Sequence, residues 1–237
     1  VPLLALAALL LPRFAEAGLP PAESILASMP KRREALGFET LRATGTLRRR
    51  GEAPVPVIEH LGLGRAHRVE LGRAGGPELV LTAKGKRWRW SPGSKPASGR
   101  AVADLFNTFV GNAEPDPGGA RGLAFLEALK IDPEVVSLTR MDGQVVFVIG
   151  ARPWERDKPQ LWVDRQLRVP VRLVYLDAGS GKRLELRLRG FGSAITRDRY
   201  PERIETWENG ELVEELLFSS LEVDPRLDPG LFVPPAP

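Results

Sequence analysis

The 237-residue chain contains no cysteine. That excludes disulfides, thiolate catalysis and cysteine-ligated zinc, and it leaves no residue for a lipid-modified N-terminal cysteine, so no lipid anchor is expected. Histidine is almost as scarce. The two present, His60 and His67, flank a glycine-containing turn and could meet across a hairpin, but two histidines without a third ligand at suitable spacing make a poor metal site. No His-Glu-x-x-His, Gly-x-Ser-x-Gly or phosphate-loop pattern occurs; Gly179-Ser180-Gly181 reads as a hairpin tip with no base beside it. No enzyme, no metal and no other cofactor is expected. Single-sign charge is lacking too, because 34 Lys and Arg are interleaved with 30 Asp and Glu for a net charge of +4.

Long apolar runs are also missing. The opening stretch, VPLLALAALLLP (1–12), is too short to span a bilayer, which takes about 20 residues. It is followed by Arg13-Phe14 and Ala15-Glu16-Ala17, with small residues at the two positions a signal peptidase reads. The expectation is a signal peptide over 1–17 and an exported, soluble chain from Gly18, forming one domain over 18–237.

What is present is mostly alternation. Ala22 to Leu36 has helical spacing, with Ile25, Leu26 and Met29 apolar and Pro30 as an expected break. From Phe38 the period changes to two: Leu41, Ala43, Gly45 and Leu47 alternate with Arg42, Thr44, Thr46 and Arg48. Further short strands follow at hairpin spacing as far as Trp90. Gly99–Asn112 and Ala120–Ile131 then have helical lengths and i, i+3, i+4 apolar spacing, separated by the breaker Glu114-Pro-Asp-Pro-Gly-Gly. Strands resume at Val135 and run to Phe218, with hairpin signals at Asp142-Gly143 and Asn209-Gly210. The cleanest alternation sets Leu184, Leu186 and Leu188 against Arg183, Glu185, Arg187 and Arg189, one dry face and one wet. The stretch KGKRWRW (84–90) places Trp88 and Trp90 on one face and Arg87 and Arg89 on the other. The pattern as a whole predicts an α+β fold: a strongly curved antiparallel sheet whose dry face is covered by an N-terminal helix and two helices inserted mid-chain, a geometry that can enclose a ligand cavity.

The runs PQLWVDRQLRVPVRLVYLD (159–177) and YPERIETWENGELVEELLFSSLEVDPRLDPGLFVPP (200–235) resemble the C-terminal half of outer-membrane lipoprotein-sorting proteins, the superfamily of the LolA and LolB carriers and the RseB sensor domain. The matching cues are the Leu-Trp-Val-Asp strand, a Pro-x-Arg strand after it, Tyr-Pro-x-x-Ile with its Asn-Gly hairpin, and the closing Leu-Asp-Pro-x-Leu-Phe. The order of elements extends the resemblance over nearly all of the mature chain. It implies an unclosed half β-barrel with a two-helix lid, carrying the acyl chain of a lipid or lipid-modified protein through the periplasm, with transient inner- and outer-membrane receptor proteins as partners and no nucleic acid. The alternative is a periplasmic lipid-responsive sensor or scaffold on the same fold, without the second domain of RseB-like chains. The cavity and lid residues it suggests are Trp88, Trp90, Leu105, Phe106, Phe109, Leu126, Trp162 and Leu173. Core packing competes evenly with ligand lining for any one of Leu105, Phe106, Phe109, Leu126 and Trp162. The tryptophans of 84–90 would pack the concave face and Arg87 and Arg89 would meet solvent. A strand arginine that latches the lid would be Arg48, Arg50 or Arg68.

Overall fold

The computed structural model describes residues 18–62, 66–100, 104–110, 116–177 and 179–235; the expected signal peptide lies outside them. The first described element is helix α1, Ala22–Glu34, which buries Ile25, Leu26 and Met29 on one face. Pro30 does not break it. The proline removes one backbone donor near the end of the helix, its ring is buried, and Lys31, Arg32 and Arg33 then suit the negative end of the helix dipole.

Two antiparallel meanders follow. The first consists of β1 (Leu41–Arg49), β2 (Val55–Gly62), β3 (Ala66–Leu71), β4 (Glu78–Ala83), β5 (Lys86–Trp90) and β6 (Ala97–Arg100). The second consists of β7 (Val136–Met141), β8 (Gln144–Ile149), β9 (Gln160–Asp164), β10 (Pro170–Leu176), β11 (Arg183–Arg189), β12 (Arg203–Glu208) and β13 (Glu211–Val223). They join back to back where β1 pairs with β13, giving one antiparallel sheet in the order β6-β5-β4-β3-β2-β1-β13-β12-β11-β10-β9-β8-β7. The ends β6 and β7 do not pair, so the curved sheet remains an open half-barrel. Asp142 and Asn209 adopt positive φ of 51° and 49° before their glycines, as two-residue hairpin turns matched to strand twist require.

The mid-chain helices are shorter than their spacing predicts. Within 99–112 the segment begins as β6, because Gly99 and Arg100 pair with Arg87 and Lys86 and so satisfy the outer edge of β5. Its described helical part is a single π-helical turn, Phe106–Val110. After a 3-10 turn at Pro117–Gly119, helix α2 spans Ala120–Ala128. A Cβ at Gly122 would lie 2.8 Å from the Leu26 Cβ, so only glycine lets α2 approach α1 this closely. These pieces cover the dry face. Leu26, Phe109, Val110, Phe125 and Leu126 pack with Leu41, Val57, Leu61, Phe147, Leu161, Leu173, Ile204 and Phe218 in the main core. Complete burial of each such side chain is worth about 1.5–3 kcal/mol.

Candidate functional site

The curvature gathers side chains from both meanders around a cavity of about 380 Å3. Its walls are apolar where strand alternation turns Leu47, Val69, Leu71, Val80, Leu186, Ile204 and Leu216 inward, and Leu105 and Phe106 line it from the lid segment. A volume near the lower end of the roughly 300–1,000 Å3 typical of ligand sites suits one hydrocarbon chain better than several.

A polar cluster is buried beneath the lid. The Tyr200 hydroxyl donates to Glu59, and His67 Nε2 stands 3.4 Å from the same carboxylate oxygen. Burial alone would disfavour a charged His67, but its bond to Glu59 and the charges of Glu59 and Asp104 outweigh burial and raise its pKa. Burial, reinforced by Glu59, pushes the Tyr200 pKa well above the ordinary tyrosine value, so it stays a phenol donor. Phe106 packs against both rings, 5.4 Å from His67 and 6.0 Å from Tyr200, centroid to centroid. The lid residue therefore rests on the polar cluster. Elsewhere on the wall Arg49 pairs with Glu214 at 2.8 Å, and Arg89 pairs with Glu78 at 3.1 Å. Among the described residues no serine, cysteine or lysine lines the cavity, and no group of three or more His, Cys, Asp or Glu is placed to hold a metal. Glu59, His67 and Tyr200 are engaged with one another.

The eight residues suggested by the sequence divide into three groups. Leu105 and Phe106 line the cavity. Phe109, Leu126 and Leu173 are core: Phe109 meets Phe125 edge-on at 5.0 Å, Leu126 is wholly buried beneath α1, and Leu173 is buried opposite Leu161. Trp88, Trp90 and Trp162 lie on the other face of the sheet, a correction. Trp88 and Trp90 are less exposed than Arg87 and Arg89, as alternation predicts, but it is the arginines that line the cavity. The tryptophans pair in register with Leu81 and Leu79 and pack with Leu81, Ala83 and Phe232 of the C-terminal tail. Trp162 packs with Val146 and Val148, donates to Gln160 Oε1 at 2.7 Å and lies under the Arg172 guanidinium at 4.5 Å. The two histidines do not meet either. His67 is opposite the inward-facing Leu61 in the register, whereas His60 is opposite Arg68 on the outer face, near Glu70 at 3.5 Å.

Among the described residues none of the expected latch arginines contacts the lid. Arg48 pairs with Glu215 and Arg50 with Glu211, while Arg68 binds Glu70 at 2.8 Å and the Leu231 carbonyl at 3.0 Å. Among the described residues the buried arginine is Arg33. From the last turn of α1 it donates to the carbonyls of Asp198 and Arg199 at 3.1 and 2.6 Å and covers the Phe38 ring at 4.8 Å. Burial pulls its pKa down to about 9, which still leaves it charged at neutral pH. Its signal in the sequence was its place on the apolar face of Ile25, Leu26 and Met29, four residues after the last. A second hollow, of about 450 Å3, opens near Arg189, Val146 and Val171, where the pairing of β10 with β11 ends at Arg172–Arg187. Its carboxylates are already engaged: Asp142 with Arg189, Asp198 with Arg32 at 3.3 Å, and Asp164 with the amides of Gln166 and Leu167. Among the described residues no lid residue lines it, whereas Leu105 and Phe106 line the smaller cavity.

No protein-family model matches the chain, and no curated protein matches it. Solved structures do. A LolA superfamily protein from Nitrosomonas europaea is similar at 16% identity and a TM-score of 0.55, over 91% of this chain and 99% of that one. A putative outer membrane lipoprotein-sorting protein domain from Vibrio parahaemolyticus matches at 16% identity and a TM-score of 0.53, covering 89% and 97%. A DUF1329 family protein from Desulfovibrio piger matches at 12% identity and a TM-score of 0.57, covering 91% and 98%. The likeness is one of fold: a large curved antiparallel sheet, not closed into a barrel, covered by an N-terminal and mid-chain helices.

Proposed function

We propose that the protein is a periplasmic carrier that holds an acyl chain of a lipid or lipid-modified protein between its concave sheet face and the Leu105–Phe106 lid, and delivers it toward the outer membrane. The observation that carries this reading is the lidded cavity, walled by Leu47, Val69, Leu71, Leu186, Ile204 and Leu216. Moving hydrocarbon out of water yields about 0.8 kcal/mol per methylene, so roughly 12 kcal/mol gross for a sixteen-carbon chain before ordering costs. That is enough for capture without chemistry. Release needs a lid that opens at modest cost, and a single π-helical turn, anchored in the core by Phe109 and Val110 and resting on two rings through Phe106, has less to displace than a long packed helix. The residues expected to form a signal peptide supply the export, and receptor proteins at either membrane would load and unload the cavity.

The test is mass spectrometry of the organic extract of natively purified protein, paired with titration by a fluorescent fatty acid. An acyl lipid recovered at a fixed stoichiometry, together with saturable binding of the probe, is expected. Protein that yields no lipid and binds no probe would contradict the carrier reading and favour the sensor or scaffold.

A further inference from the structure

We propose that the cavity is specific for amphiphiles with one hydrocarbon chain and one anionic head group, a carboxylate or a phosphate, and that Arg87 and the Tyr175 hydroxyl hold that head. The inference rests on the acyl-chain reading and adds the chemistry of the cargo's polar end.

It follows from accounting for the charges on the cavity wall. Glu59 accepts from Tyr200 and lies beside His67. Glu214 is bound by Arg49. Arg89 is bound by Glu78. Asp104 sits on the lid side, where its charge favours protonated His67. Arg87 is left. It projects into the same cavity from the β5 position opposite Thr82, and among the described residues it makes no ion pair within 4.0 Å. Tyr175 reaches the cavity from the other meander, on β10, and its hydroxyl has no hydrogen-bond partner among the described residues. Burial, then the charge of Asp177, raises the Tyr175 pKa, while Arg87 acts in the opposite sense. The hydroxyl thus stays protonated and able to donate, and it stands close enough to Arg87 to feel its charge.

A planar guanidinium with no carboxylate of its own, and a phenol facing the same space from the opposite wall, are the donors that a carboxylate or phosphate requires. The apolar wall of Val69, Leu71, Leu186 and Leu216 then receives the chain. A neutral head would leave Arg87 unpaired, and a cationic one would be repelled.

Calorimetric titrations near neutral pH with dodecanoate, dodecyl phosphate, dodecanol and inorganic phosphate test the idea on wild type and on Arg87→Gln, Tyr175→Phe and Arg89→Gln. The two anionic amphiphiles should bind at least about tenfold more tightly than dodecanol, a difference of about 1.4 kcal/mol. Arg87→Gln should erase that preference and leave dodecanol binding unchanged. Tyr175→Phe should reduce it in part, and Arg89→Gln should spare it. Inorganic phosphate alone should not saturate the site. Equal affinity for dodecanol and dodecanoate, or uniform weakening of every ligand by Arg87→Gln, would overturn the head-group assignment and leave the acyl-chain reading standing. Loss of the preference in Arg89→Gln instead of Arg87→Gln would overturn it as well, as would saturable phosphate binding with no gain from a tail. Failure of all three amphiphiles to bind would overturn both readings.

Discussion

Phe106 and Phe109 lie three positions apart on the lid segment and do different work. Phe106 faces the cavity across His67 and Tyr200, whereas Phe109 is 2% exposed and packed edge-on against Phe125. A carboxylate at Phe106 enters the space proposed for ligand, so Phe106→Glu should weaken binding of a fluorescent fatty acid at least about tenfold while thermal unfolding stays cooperative. Phe109→Glu places an unpaired charge in the core at a cost of several kcal/mol, and its melt should collapse. Titrations and melts of the two variants side by side check this, and the reverse pattern would exchange the two roles. Glu185 gives a second residue-scale prediction. It is 3% exposed on the face that the alternation marks as wet, and it accepts from Arg172, Arg183 and Arg187. Burial raises its pKa, but the arginines' hydrogen bonds and charges prevail and hold it at about 2, against an ordinary value of 4.5. The folded value lies below the unfolded one, so the stabilisation is complete above pH 4.5 and disappears as pH falls toward 2. It amounts to roughly 3 kcal/mol. Urea melts across that window should show the loss in wild type and a flatter profile in Glu185→Gln.

At the scale of the element, alternation separates two faces without saying which is inside. For KGKRWRW the sequence sets Trp88 and Trp90 apart from Arg87 and Arg89, and the structure keeps that division and reverses its sense. The reason lies more than a hundred residues away. The tail turn Pro229–Phe232 lays Phe232 over Gly62, where a Cβ would meet the ring at 2.7 Å, and gives the tryptophans an apolar cover outside the barrel. No local pattern contains that contact. The same limit explains the shortened first lid helix, since helical spacing in 99–112 competes with the unpaired edge of β5, and 97–100 pairs with it. It also explains β13, which continues past the expected end at Phe218 to Val223 because β1 offers a partner as far as Leu41. Hairpins set by two adjacent residues, Asp142-Gly143 and Asn209-Gly210, were by contrast fully legible. Removing the tail's cover should therefore disturb β4 and β5: Phe232→Ala should red-shift tryptophan emission and lower stability by less than the roughly 3–5 kcal/mol of a fully buried Phe→Ala, because Phe232 is only half-buried. An unchanged emission spectrum would mean that the tail is not the cover.

Across the whole molecule, two meanders meet at one seam, and neither alone encloses anything. Cavity residues come from β1 to β5 on one side and from β10 to β13 on the other, so the site exists only once β1 has paired with β13. The architecture was legible in the sequence because it follows from periods of two and 3.6 and from turn residues. The site was legible only in part, because lining a cavity and filling a core ask for the same side chains. Leu105 and Phe106 were singled out with six other residues, of which the structure places three in the core and three on the outer face of the sheet. Arg87 and Tyr175 were not, since what distinguishes them is the want of a partner across a sheet that the sequence does not show folded. In the proposed carrier, hydrocarbon lies between the concave face and the lid. Photo-crosslinking with a diazirine-bearing fatty acid, followed by peptide mapping, tests it most directly. The label should fall on the peptides carrying Leu105 and Phe106, Val69 and Leu71, and Leu216. Label confined to Trp88 and Trp90 or to the hollow around Val146 and Val171, or no label above the level reached with unfolded protein, would contradict it.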